Sequence, residues 1–157
     1  MERTKGLNAV FRHRLFRKGA GTMSQAKDLS HQKNRGILQN LISVMVADCR
    51  IDPAETRFLE KMCQRMGISR EELADVFLNL GMIKEYVPDQ PQERIAQLLD
   101  MVFMMMVDGH IDDREVDVCK LAAQRFGFDA AVIDTIIESL EQGKEREEIG
   151  RLLQASV

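Results

Sequence analysis

The stretch A-D-C-R-I-D-P-A-E, Ala47 to Glu55, is echoed sixty residues later by V-D-G-H-I-D-D-R-E, Val107 to Glu115. Asp48, Ile51, Asp52 and Glu55 recur as Asp108, Ile111, Asp112 and Glu115, and further on Gln64, Arg65 and Gly67 recur as Gln124, Arg125 and Gly127. Both copies carry the same punctuation. Asp52 and Asp112 stand at N-cap positions with a glutamate three residues on, the reciprocal arrangement of a capping box, and Pro53 occupies a first helical position. Each copy therefore closes one helix, turns a corner and opens the next. Two copies are too few for a solenoid, so the pattern predicts a single all-α domain of two similar halves related by a pseudo-two-fold axis.

Working outward from these corners, apolar residues at helical spacing fill the remaining chain. Ile37, Leu38, Leu41, Ile42, Met45 and Val46 define a helix from about His31 to Asp48. After the first corner a helix carries Phe58, Leu59, Met62 and Met66 and stops at Gly67; Ser69 with Glu72 then makes another capping box before Leu73, Val76, Phe77 and Leu80. Lys84 to Pro91, K-E-Y-V-P-D-Q-P, is the Pro-containing connector between halves at about residues 29–84 and 91–142. A helix from about Gln92 to Asp108 is apolar on nearly every side and should lie centrally, with its Leu98 to Met105 run against Leu38 to Met45. Val116, Cys119, Ala122 and Phe126 follow the second corner up to Gly127, Asp129 opens a helix through Val132, Ile136 and Leu140, and a tail helix with Ile149, Leu152 and Leu153 follows Gly143. The expectation is about seven helices and no strand.

Composition agrees. The 157 residues are 45% hydrophobic and 30% charged, with ten Met, three Pro, no Trp and one Tyr, which suits helices with a buried core. The methionines of the central helix read as flexible core filler rather than as thioether ligands of copper or haem. Cys49, Cys63 and Cys119 are odd in number and lack a C-x-x-C spacing, so a disulfide framework or thiolate zinc site is not expected, and a cytoplasmic, reducing setting is. No apolar run reaches the roughly 18 residues of a membrane span.

Charge is unevenly placed. Among residues 1–22, Arg3, Lys5, Arg12, Arg14, Arg17 and Lys18 against Glu2 give +5, so the rest of a chain with net charge −3 carries −8. The acidic body disfavours nucleic acid as a partner. Residues 1–28 form a basic N-terminal segment, read as a disordered tail or as the product of a misassigned start ahead of Met23. Leu7, Val10, Phe11 and Leu15 at helical spacing leave contact with an anionic membrane surface as the lesser reading. The domain proper is expected at residues 29–157.

The acids divide into two kinds. Capping accounts for Asp52, Glu55, Asp112 and Glu115. It does not account for Asp48 and Asp108, which the periodicity places in the last turn of a helix, where the dipole opposes a carboxylate by about 0.3–1 kcal/mol. A basic side chain such as Arg50, Arg57 or Arg114, the facing N-terminus of the next helix, or a bound cation would offset this. Two corners brought together across a pseudo-axis would offer Asp48, Asp52, Glu55, Asp108, Asp112 and Glu115 to a hard divalent cation, Ca²⁺, Mg²⁺ or Mn²⁺. Six carboxylates overfill one such site, so either some are only caps or two ions bind. The alternating acids and central Gly of an EF-hand loop are absent. His110 is a minor candidate ligand.

The two segments resemble the duplicated A-D-G-x-I-x-x-x-E signature of the TerB-like family, which includes tellurite-resistance TerB proteins and the N-terminal domain of the DjlA membrane co-chaperone. The resemblance covers roughly Ser30 to Leu140. It implies an all-helical, internally pseudo-symmetric domain with acids that bind a divalent cation. By position that role carries to Asp48 and Glu55 in one copy and Asp108 and Glu115 in the other, with Asp52 and Asp112 beside them. The first copy departs from the signature at Cys49, where Gly is expected; a left-handed conformation there would strain the backbone by about 1 kcal/mol. The chain has no J-domain His-Pro-Asp motif, so the resemblance to DjlA extends to the module alone.

Two function classes stand. One is a divalent-cation-binding stress-response protein of the tellurite-resistance type; the other is an interaction module for a protein partner, in which the acids only cap helices. An enzyme is not expected, since the chain offers no nucleophile paired with a base, no phosphate-binding Gly loop and no three-ligand His site.

Overall fold

The computed structural model describes residues 5–82 and 86–155, with side chains from residue 25 onward. Seven helices follow in order: α1 (Lys5–Met45), α2 (Pro53–Met66), α3 (Arg70–Leu78), α4 (Pro91–Met106), α5 (Asp113–Arg125), α6 (Ala131–Glu141) and α7 (Arg146–Gln154). No strand occurs among the described residues. The chain divides into two units, Met1–Asn34 and Arg35–Val157. α1 begins well before the expected His31, because Gln25 to Asn34 contains no Pro or Gly and several good helix formers, although it lacks an apolar stripe. Of the basic segment at residues 1–28, residues 5–28 lie in α1, and the side chains of its first 24 residues are outside the described ones. The predicted connector is described only from Tyr86.

All three predicted capping boxes form. Ala54 N–H donates to Asp52 Oδ1 at 2.6 Å while Asp52 N–H donates to Glu55 Oε2 at 2.9 Å, which opens α2. Arg114 N–H donates to Asp112 Oδ1 at 2.9 Å and Asp112 N–H to Glu115 Oε2 at 3.2 Å, opening α5. Glu72 N–H reaches Ser69 Oγ at 3.2 Å and Ser69 N–H reaches Glu72 Oε2 at 2.8 Å at the start of α3. Each box satisfies N–H groups that the helix itself leaves unpaired, worth about 1 kcal/mol per cap. α2 closes through Ile68 N–H to the Cys63 carbonyl at 2.9 Å, and α5 through Phe128 N–H to the Ala123 carbonyl at 2.9 Å, at Gly67 and Gly127 as the sequence implies.

α4 is the hub of the second unit and packs against α2, α5, α6 and α7. Its Leu98, Met101, Val102, Met104 and Met105 are almost fully buried, and they share one cluster with Leu38, Leu41, Ile42, Val44 and Met45 of α1, the two runs expected to meet. The methionines are thus core filler. Burying each such side chain contributes about 1.5–3 kcal/mol. Ile133 and Ile136 of α6, Cys119 and Ala123 of α5, and Ile149 of α7 complete the cluster.

Polar contacts that no sequence pattern announced fasten these helices. Arg94 of α4 donates from Nε to the Pro88 carbonyl at 2.6 Å and from Nη1 to the Phe126 carbonyl at 3.1 Å, so one guanidinium holds the end of the connector to the end of α5. Arg146 of α7 pairs with Asp100 of α4, donates to the Ala96 carbonyl at 3.0 Å and lies 5.7 Å from the Phe103 ring centre. Arg35 pairs with Asp75 of α3. Gly36 of α1 lets the Tyr86 side chain lie directly on the helix backbone: a Cβ at Gly36 would stand 2.8 Å from Tyr86 Cγ, and Asn40 Nδ2 donates to the Tyr86 carbonyl at 3.1 Å.

Candidate functional site

The two echoed segments build two corners of the same design. In the first, α1 ends at Met45 and the chain passes through a turn in which Ala47 N–H bonds to the Val44 carbonyl at 3.0 Å and Cys49 N–H to the Val46 carbonyl at 3.1 Å. In the second, α4 ends at Met106 and Gly109 N–H bonds to the Met106 carbonyl at 3.1 Å. Asp48 and Asp108 therefore lie beyond the helix ends, not in the last helical turn as expected. Leaving the helix early lets each carboxylate fold onto its own loop: Asp48 Oδ1 accepts from Arg50 N–H at 2.8 Å and Asp108 Oδ1 from His110 N–H at 2.9 Å. A loop amide, not a cationic side chain, takes the first oxygen of each.

The corners differ at the residue after the aspartate. Gly109 has φ 81°, a left-handed conformation that suits glycine, and Cys49 adopts φ 64° in the equivalent place. Among the described residues Cys49 is the one non-glycine with positive φ. Its side chain blocks part of this region sterically, at a cost of about 1–2 kcal/mol. The strain anticipated from the missing glycine is thus present in the backbone.

The centre of the site is the meeting of two glutamates. Glu55 and Glu115 are each 4% exposed, although they sit in the first turns of α2 and α5. Each accepts the N-cap N–H of its own helix at Oε2, and the two carboxyls lie close enough for each to shift the other's protonation. Ionising both carboxyls in this buried setting is costly unless a positive charge accompanies them. Burial pushes Glu115 up to about 7, and the nearby charges of Glu55 and Asp48 add to the rise while the Asp112 N–H opposes it. Glu55 is raised as well, first by burial and then by the charges of Asp108 and Asp48, against the Asp52 N–H and the Glu115 side chain. In the absence of a cation, the pair is therefore biased toward taking up a proton.

The six sequence-predicted ligands thus fall into three positions. Glu55 and Glu115 form the buried pair, Asp48 and Asp108 lie near enough to raise it, and Asp52 and Asp112 turn their Oδ1 atoms to the N-termini of α2 and α5. As the side chains stand, no three His, Cys, Asp or Glu among the described residues gather around a common point. His110 and Arg50 are exposed. The thiols of Cys63 and Cys119 are buried, and burial, aided by the charge of Glu115, pushes Cys119 up to about 12, which leaves it unreactive. The sequence did single out both glutamates, but not their proximity. The available signal was their N3 position in two copies of one capping box, which fixes one oxygen of each and turns the other away from the helix end.

The fold and site define an all-helical protein organised around a buried carboxyl pair. No family model, curated protein or solved structure matches this chain. No helix among the described residues is long and apolar enough to cross a membrane.

Proposed function

We propose that the chain is a TerB-like, non-enzymatic protein of the tellurite-resistance and stress-response type, whose halves at about residues 29–84 and 91–142 are copies related by a pseudo-two-fold axis. In this reading Glu55 and Glu115 bind a divalent cation in place of their shared proton. The observation that carries it is the juxtaposition of two glutamates, each 4% exposed and from equivalent positions of the two repeats, whose carboxyls interact and are both held above the ordinary carboxylate range, chiefly by burial. A cation there would relieve the repulsion and the desolvation together. The donors are all carboxylate oxygens, which suits a hard ion such as Ca²⁺, Mg²⁺ or Mn²⁺. Asp48 and Asp108 would complete the ligand set by exchanging a loop N–H for the ion, while Asp52 and Asp112 remain as caps.

The experiment is a thermal-stability titration of the chelator-stripped full chain with Ca²⁺, Mg²⁺, Mn²⁺ and Zn²⁺, beside an Asp48→Asn/Asp108→Asn double variant. A ligand bound only by the folded state adds about 2.7 kcal/mol at one hundred times its dissociation constant. A saturable rise in the parent that is lost in the variant is expected. An unchanged midpoint at millimolar cation would reject the site.

A specific observation supports a second reading. Both capping boxes are complete and Asp48 and Asp108 each have a loop N–H, so local hydrogen bonding accounts for one oxygen of every one of the six acids. The protein is then an interaction module resembling the DjlA N-terminal domain, held by a proton at the glutamate pair, with a protein partner. The cation titration separates the two.

A further inference from the structure

We draw no further inference here: the strongest candidate, the open groove of about 420 Å³ between α4 and α7 lined by Ile95, Leu99, Arg146 and Arg151, carries nothing because Ile95 and Leu99 are already covered, Arg146 is engaged by Asp100 and the Ala96 carbonyl, and nothing in the structure shows what would fill it.

Discussion

Replacing Glu115 by Gln should make the metal-free protein more stable at pH 8, against the usual outcome of altering a buried residue. An amide keeps the shape of the side chain, can still accept the Asp112 N–H, and can donate to Glu55 without needing a proton from solvent. The magnitude follows from the carboxyl pair. Glu115 is pushed from its ordinary 4.5 up to about 7, chiefly by burial, and each unit is worth about 1.4 kcal/mol. Because the folded state holds a proton that the unfolded state releases, the group's contribution is full below pH 4.5 and is lost as the pH rises through about 7. The upper limit of that loss is about 3 kcal/mol, or a fall of roughly 6–10 °C in midpoint for a domain of this size. Urea denaturation of parent and Glu115→Gln at pH 5, 6, 7 and 8, with chelator throughout, measures it. The parent should lose stability across this range and the variant should lose markedly less, with their difference removing the contribution of the histidines. A parent whose stability is level or rises from pH 5 to pH 8, or a variant that keeps the parent's slope, would refute a shared proton at the pair.

Three further outcomes are expected. Cys49→Gly should raise the denaturation midpoint, by up to about 1 kcal/mol, because φ 64° costs glycine little; an unchanged or lower midpoint would show that this corner stores no strain. Gly36→Ala would stabilise an open helix by about 1 kcal/mol, yet here the added methyl meets Tyr86 and should instead destabilise by about 1–3 kcal/mol, so the sign of the change in a melt decides whether Tyr86 seats on α1. Gln97 is 4% exposed and its Nε2 finds no acceptor, so Gln97→Met, similar in volume, should stabilise by about 1 kcal/mol; a loss comparable to an ordinary core substitution would mean that the amide is satisfied.

Much of the helical framework is legible in the sequence, because its signals are local. Asp52, Ser69 and Asp112 act within three residues of the N–H groups they cap, and the helices at Gly67 and Gly127 end through bonds to carbonyls three to five positions back. The burial of the α4 face is equally readable, since Asp100 is the single polar residue from Leu98 to Met105. The sequence does not mark α1 ahead of His31 because Gln25 to Asn34 carries no apolar stripe that continues the one from Ile37. The expected helices run two or three residues too far, to Asp48 and Asp108, because an aspartate in helical register reads the same whether the helix continues or the side chain bends back to a loop N–H.

The candidate site divides along the same line. From sequence alone, Glu55 and Glu115 are equivalent, each the N3 residue of a capping box, and Asp48 and Asp108 precede them at equal spacing; all of this depends on order along one strand of chain. What the order does not contain is distance between the copies. Only the packing of the second unit brings Glu55 and Glu115 close enough to shift each other's protonation and leaves both 4% exposed. That change matters physically because a carboxylate on a solvated helix start costs nothing to ionise, whereas two of them sharing one buried space are biased toward taking up a proton or a cation. The acids were determined by the sequence, and the demand for positive charge between them was decided by the tertiary structure.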